Sequence, residues 1–283
     1  MQKQYINGKW TDALNGNVWK VLNPATEKVV AVVPFGNEDD ANWAIQAAQQ
    51  AFPTWKQVNA FDRAKLLKAL AVKIREKAAK NATITTQESG KPYVQALGEW
   101  TLSADMFEWF AEEAKRTYGT IIPASRNNKR MSVIYQPIGV VGIISAWNFP
   151  IWNLARAWGA ALAAGCTIVA KASEYTPLTA MLLVEAIEEV GFPAGVVNLI
   201  NGEPEGIGDA LMDALAVRKI HFVGSTKVGK LLMDKASRTN TKLSLELGGN
   251  APVLIFPDVD IAEIAPSVVA AKFRNCGQVC VSP

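Results

Sequence analysis

The chain has 283 residues, of which 49% are hydrophobic and 19% charged, with a net charge of +3. That is ample for a buried core and excludes disorder of the low-hydrophobicity, high-charge kind. No block of Lys and Arg points to nucleic acid, no run reaches the ~18 apolar residues of a membrane span, and the single histidine excludes a His-rich metal site.

The chain opens with a ribbon. Asn7-Gly8 is the pair of a tight hairpin turn, and residues 18–35 read as two strands around Asn23-Pro24-Ala25-Thr26. Asn37 is a good N-cap, followed by Glu38, Asp39 and Asp40 where the helix dipole favours acid. Its helix is expected to end near Ala51. A second helix is expected over residues 61–80, with Leu66, Leu67, Leu70 and Ile74 at helical spacing. Glu88-Ser89-Gly90-Lys91-Pro92 interrupts the next helical stretch. Residues 117–122 and 130–136 read as a second ribbon.

From Pro137 the pattern changes. Residues 138–145 form an apolar run with little alternation, the mark of a strand covered on both faces. Strands at 167–171, 196–200, 219–223 and 242–247 then alternate with helices at 151–164, 177–190, 203–214 and 225–237. Such alternation with short links predicts a parallel sheet with right-handed crossovers. The expected fold is α/β: a doubly wound, five-stranded, Rossmann-like parallel sheet behind an N-terminal helical part. A further strand at 251–256 and a helix at 260–274 read as the start of another α/β domain, cut short.

Ligands of doubly wound sheets sit at the carboxyl ends of the strands. Four ends are polar or glycine-bearing here: Ser145 to Pro150, Lys171 to Glu174, Phe222 to Gly229, and Glu246 to Gly249. Gly224-Ser225 runs into a helix whose free N–H groups suit a pyrophosphate, though Gly-Ser-Thr is also an ordinary cap. Glu174 sits where an acid accepts a ribose hydroxyl and would repel a 2′-phosphate, favouring NAD over NADP. Glu174 as a helix-start acid and Lys171 as a strand-end lysine are the plain alternatives. The G-x-G-x-x-G loop is missing after the first strand, and the glycines at 202–208 read as the start of a helix.

Cys280 follows a glycine turn, where a thiol serves as a nucleophile if its pKa is lowered. An inert packed cysteine is the competing reading, and Cys276 is its rival. The C-x-x-x-C spacing is not the C-x-x-C redox motif, and the place of Cys166 at an Ala-Gly helix end argues against a zinc site. Glu246 offers a carboxylate for general-base work. His221, inside an apolar strand, is expected in the core rather than in a Cys–His hydrolase. The absence of an export signal and three free thiols point to the cytoplasm.

Together these motifs resemble the aldehyde dehydrogenase superfamily. The resemblance rests on Asn148-Phe149-Pro150 after Trp147, Lys171-x-x-Glu174, Phe222-x-Gly224-Ser225, Glu246-Leu247-Gly248-Gly249 and Gly277-Gln278-x-Cys280, with Glu88 to Pro92 and Gln136 to Val140 in support. It covers essentially the whole chain. Residues 272–275 are most similar to the succinate-semialdehyde branch. Ala172 replaces a common proline, and Cys276 is an extra thiol beside the nucleophile, placed where it could form a reversible disulfide.

The resemblance implies Cys280 as nucleophile, Glu246 as base for the hydrolytic water, and Asn148 as oxyanion donor. Trp147, Asn148, Lys171, Ser173, Glu174, Gly224, Ser225 and Leu247 would hold NAD, with NADP as the alternative; no metal is implied. The substrate would be a small aldehyde. Residues 1–118 and 138–249 would form the cofactor domain, 119–137 part of the ribbon that makes family homodimers or homotetramers, and 250–283 the start of a truncated catalytic domain. The chain alone is expected to have little activity. A non-catalytic dinucleotide-binding module is the alternative function.

Overall fold

The computed structural model describes residues 3–283. Strands β1 (Gln4–Ile6) and β2 (Lys9–Thr11) form the expected hairpin, with Asn7 and Gly8 at φ 51° and 74°. Strands β3 (Val18–Leu22) and β4 (Val29–Pro34) make a separate antiparallel pair. Helix α1 (Glu38–Trp55) starts with a capping box: the Asn37 side chain accepts from Asp39 N, and the Asp40 carboxylate accepts from Asn37 N. It runs past Ala51 and through Pro53, because buried Trp55 anchors the last turn against Phe192.

Helix α2 (Ala60–Ser89) is nine residues longer at its C-terminal end than Lys80, the end expected from the apolar spacing. Ala82, Thr85 and Glu88 continue its buried face, and the polar pair hides the pattern. Thr85 and Glu88 are tolerated there because each is bonded across to another helix. Gly90, at φ 74°, ends α2 in the left-handed conformation. Helix α3 (Tyr93–Glu113) follows, and β5 (Thr120–Ile122) and β6 (Met131–Val133) form the second ribbon, exposed along both strands.

The remaining elements alternate: β7 (Val140–Ile144), α4 (Pro150–Ala164), β8 (Thr167–Lys171), α5 (Pro177–Val190), β9 (Val197–Ile200), α6 (Pro204–Asp213), β10 (Val217–Val223), α7 (Thr226–Thr239) and β11 (Lys242–Glu246). The parallel sheet runs β11-β10-β7-β8-β9. It is wider than the expected five strands. The N-terminal hairpin adds β1 antiparallel to β9 and β2 antiparallel to β1, making seven, and Asn7 N donates to the Asn198 side chain to fix the join.

Side chains alternate between two cores. Val141, Ile143, Ile168 and Ala170 face one, while Val140, Val169, Ile220 and Phe222 face the other. This double burial accounts for the near-continuous apolar strands. Strand order reverses between β7 and β10, which opens a crevice at their carboxyl ends.

One expected strand does not form. Residues 251–256 are not a strand: they pair with no strand among the described residues, and Val253, Leu254, Ile255 and Phe256 are exposed. A strand is held by its ladder partners, so β-propensity without a neighbour does not make one. Helix α8 (Ile261–Phe273) does form, capped by Asp260, and buries none of its residues. No helix among the described residues is long and apolar enough to cross a membrane.

Candidate active site

A cavity of about 700 Å³ lies over the crevice. Trp147, Asn148 and Phe149 from the β7 end, Val223 to Ser225 from the β10 end and Glu246 to Gly248 from the β11 end form one side. Cys280, Gln278 and Arg274 close over it, and Arg156 on α4 and Glu99 on α3 complete the wall. The three residues expected to react therefore share one space.

Asn148 is oriented by its neighbours. Its side-chain oxygen accepts from Phe149 N at 3.1 Å and from Asn153 Nδ2 at 3.3 Å. That leaves the amide nitrogen as the free end, and it donates to the Gln278 carbonyl at 3.1 Å, two residues before Cys280. The Asn148 backbone carbonyl is a hub, receiving Lys91 Nζ and Asn275 Nδ2, each at 2.8 Å. Asn275 also donates its own N–H to Gln95 at 2.7 Å, so α3 holds the turn that carries the cysteines. Asn275 and Cys276 sit at positive φ, 50° and 56°, a conformation that costs energy and persists because these bonds hold it.

Cys280 and Cys276 are both exposed free thiols, and Cys166 is buried. Only Cys280 lines the cavity; Cys276 lies against the Gly90 carbonyl, with Sγ 3.8 Å from it. Glu246 is exposed and faces Arg156, Oε2 to Nη1, at 3.6 Å.

At the β8 end, Lys171 is buried and its ammonium pairs with Glu174 at 2.6 Å. The solvent-exposed reading of Lys171 is thereby ruled out. Burial pulls the Lys171 pKa down and the Glu174 charge opposes it. Ser173 is buried beside them, its Oγ accepting from Tyr175 N. These three stand on the same rim but outside the cavity wall.

At the β10 end, Gly224 N donates to Glu246 O, tying two strand ends together. Ser225 caps α7 by accepting from Val228 N at 3.3 Å. The exposed first turn of α7 leaves backbone N–H groups facing out, a donor set that fits a phosphate. A Cβ on Gly229 would stand 2.7 Å from the Leu247 side chain, so α7 packs close to the β11 end.

His221 stays in the sheet. Burial holds it neutral, with its pKa lowered to about 4, and its ring is not part of the cavity wall.

The sequence reading gave no site role to several residues that the fold brings here. Lys91 and Glu99 form an ion pair with almost no exposure, 1% and 3% at their side chains. Glu99 Oε1 also accepts from Ile151 N at 3.0 Å and Trp152 N at 3.1 Å, capping α4, whose N-cap Phe149 has no side-chain bond to give. Glu88 does the same for α5, accepting from Leu178 N and Thr179 N, both at 2.8 Å. Burial pushes Glu88 up to about 7.

A family model described as "Aldehyde dehydrogenase family" matches residues 10–283. The glutarate-semialdehyde dehydrogenase of Pseudomonas putida is 44% identical over 280 residues, covering 99% of this chain and 58% of the relative. The mitochondrial succinate-semialdehyde dehydrogenase of Oryza sativa is 46% identical over 276 residues, covering 98% of this chain and 52% of the relative. The crystal structure of betaine aldehyde dehydrogenase from Staphylococcus aureus in complex with NAD+ superposes with a TM-score of 0.97 at 34% identity, covering 100% of this chain and 56% of that one. The chain thus spans little more than half the length of these relatives.

Proposed function

The chain belongs to the aldehyde dehydrogenase family, and from that footing we propose that it carries the NAD(P) site and the reacting groups of an enzyme that oxidises small, acid-bearing aldehydes to carboxylic acids. One observation carries the reading: Cys280, Asn148, Glu246 and Arg156 line one cavity at the strand-order reversal.

Cys280, as thiolate, would attack the aldehyde carbonyl carbon. The carbonyl oxygen becomes an oxyanion in reach of the Asn148 amide, a type of donor whose removal typically costs ~3 kcal/mol of transition-state stabilisation. NAD(P), when bound, supplies the hydride acceptor. Loss of hydride leaves a thioester on Cys280. Glu246 would then take a proton from water, whose oxygen attacks the thioester and returns the thiolate and the acid product.

Lys171, Ser173 and Glu174 would meet the adenosine ribose, Gly224, Ser225 and the α7 N-terminus the pyrophosphate, and Trp147 and Leu247 the cleft walls. Glu174 favours NAD by repelling a 2′-phosphate. Residues 1–118 and 138–249 form the cofactor domain in this assignment, and 250–283 begin the catalytic part. The exposed ribbon at 119–137 is the surface for self-association into dimers or tetramers.

The substrate class follows from Arg156, supported by exposed Arg274, which lines the same cavity. Two guanidiniums in an aldehyde cavity suit an aldehyde with an anionic far end. Relatives at 42–46% identity are named for succinate semialdehyde, glutarate semialdehyde and 3-sulfolactaldehyde, each of which carries such a group.

Turnover by these residues alone is expected to be slow. Cys280 and Glu246 are both exposed, and Glu246 is engaged by Arg156. The acyl group should accumulate on Cys280. Acid-quenched intact-mass analysis of the chain with succinate semialdehyde and NAD+ tests this. Sustained, rapid NADH production would overturn the slow-turnover claim, and NAD binding without acylation would leave a dinucleotide-binding module.

A further inference from the structure

Behind Asn148 lies a buried ion pair that helix capping alone does not require. Glu99 caps α4, and a neutral glutamine could supply an acceptor for the same N–H groups. Burying a full charge there costs far more unless a partner compensates it. The compensating Lys91 has three donors and three uses: the Glu99 carboxylate, the Asn148 carbonyl at 2.8 Å, and the face of the Phe149 ring at 4.5 Å. Two of these three targets are consecutive residues of the cavity wall.

Among the described residues the Asn148 carbonyl is otherwise tied only to the Asn275 side chain, whose own left-handed backbone needs support. Lys91 supplies the charge-assisted bond, the stronger type of the two. It arrives from the α2–α3 connection, immediately after the left-handed Gly90 that ends α2.

We propose that Lys91, braced by Glu99, is a positioning residue for Asn148: it holds the main chain so that the side-chain amide stays aimed at the Gln278–Cys280 turn. This deepens the proposed function and rests on Asn148 serving as the oxyanion donor. Lys91 acts through Asn148 and touches neither aldehyde nor cofactor. Its loss should therefore slow the chemical step and spare binding.

The test compares the 283-residue chain with Lys91→Met/Glu99→Gln, a neutral pair that keeps a cap on α4. The Asn148 side-chain amide signals in a ¹⁵N–¹H spectrum, assigned by their loss in Asn148→Asp, should shift or broaden, while the Ile151 and Trp152 backbone signals persist. NAD affinity should stay within about twofold, and NAD-dependent acylation of Cys280 by succinate semialdehyde should slow about tenfold or more, with half-saturation within about threefold. Lys91→Arg, which keeps a cation able to donate to Asn148, should recover part of the rate. If the double variant folds poorly, Lys91→Met alone is read the same way, Glu99 taking up a proton to stay buried. Unmoved Asn148 signals, or a displaced amide with an unchanged acylation rate, overturn the proposal. A wild-type chain that fails to acylate overturns the proposed function instead, and the amide signals still decide the role of Lys91.

Discussion

Arg156 and Glu246 face each other at 3.6 Å on the cavity wall, so the cation proposed to meet a substrate acid is held by the carboxylate proposed to activate water. An acidic substrate would compete for Arg156 and release Glu246. Arg156→Met should therefore reduce acylation by succinate semialdehyde relative to propanal by about tenfold, the scale of one lost charge-assisted hydrogen bond. Competition between the two aldehydes, read by intact mass, measures it. An unchanged preference would remove Arg156 from substrate recognition.

Cofactor choice is predicted to turn on Glu174. Glu174→Gln keeps an acceptor for a ribose hydroxyl and removes the repulsion of a 2′-phosphate. NADP should then bind about tenfold tighter relative to NAD than in the wild type, a change of ~1.4 kcal/mol. Isothermal titration of both nucleotides against both proteins gives the ratio.

Helix α4 is gripped by charges of complementary sign at its two ends. Glu99 accepts at its N-terminus, and Arg63 Nε donates to the Ala163 carbonyl near its C-terminus at 2.9 Å. Glu99→Ala leaves Lys91 buried without its counter-charge and should destabilise the fold by about 3–5 kcal/mol. Glu99→Gln should cost less, because a cap remains. Urea unfolding of the two variants checks the order.

His221 should make the fold acid-sensitive. Its pKa is lowered to about 4 by burial, with Arg156 as the next contributor, from an ordinary 6.5. Below pH 6.5 the unfolded chain takes up the proton and the folded chain does not, so stability is lost as pH falls from about 6.5 towards 4. The full effect is roughly 3 kcal/mol. Glu88 works in the opposite direction: with its pKa raised to about 7, its contribution falls as pH rises from 4.5 to 7. His221→Gln should flatten the acid limb of melting temperature against pH, and an unaltered limb would contradict this.

The architecture was legible where burial follows a simple rule. Strands covered on both faces wrote themselves as apolar runs, Asn37 and Asp260 announced their helices, and Asn7-Gly8 announced its turn. The end of α2 was hidden because Thr85 and Glu88 are polar yet buried, paired with residues far away in sequence. The segment at 251–256 misled for the converse reason, since its apolar residues imply a strand and no neighbour completes the ladder. The site was half legible. Glu246 and Asn148 stand in short motifs at strand ends, and Cys280 in one just after the turn that follows α8. Lys91, Glu99 and Arg156 act through distances that only the folded chain creates.

The proposed role of Cys280 is that of nucleophile in an aldehyde oxidation driven by a dinucleotide held at the β7–β10 crevice. Its most direct test is acid-quenched intact-mass and peptide mapping after exposure to succinate semialdehyde with and without NAD+. One acyl group per chain is expected, on Cys280, only when NAD+ is present, and none in Cys280→Ser. Acylation on Cys276, acylation independent of NAD+, or no acylation by a chain that binds NAD would contradict it.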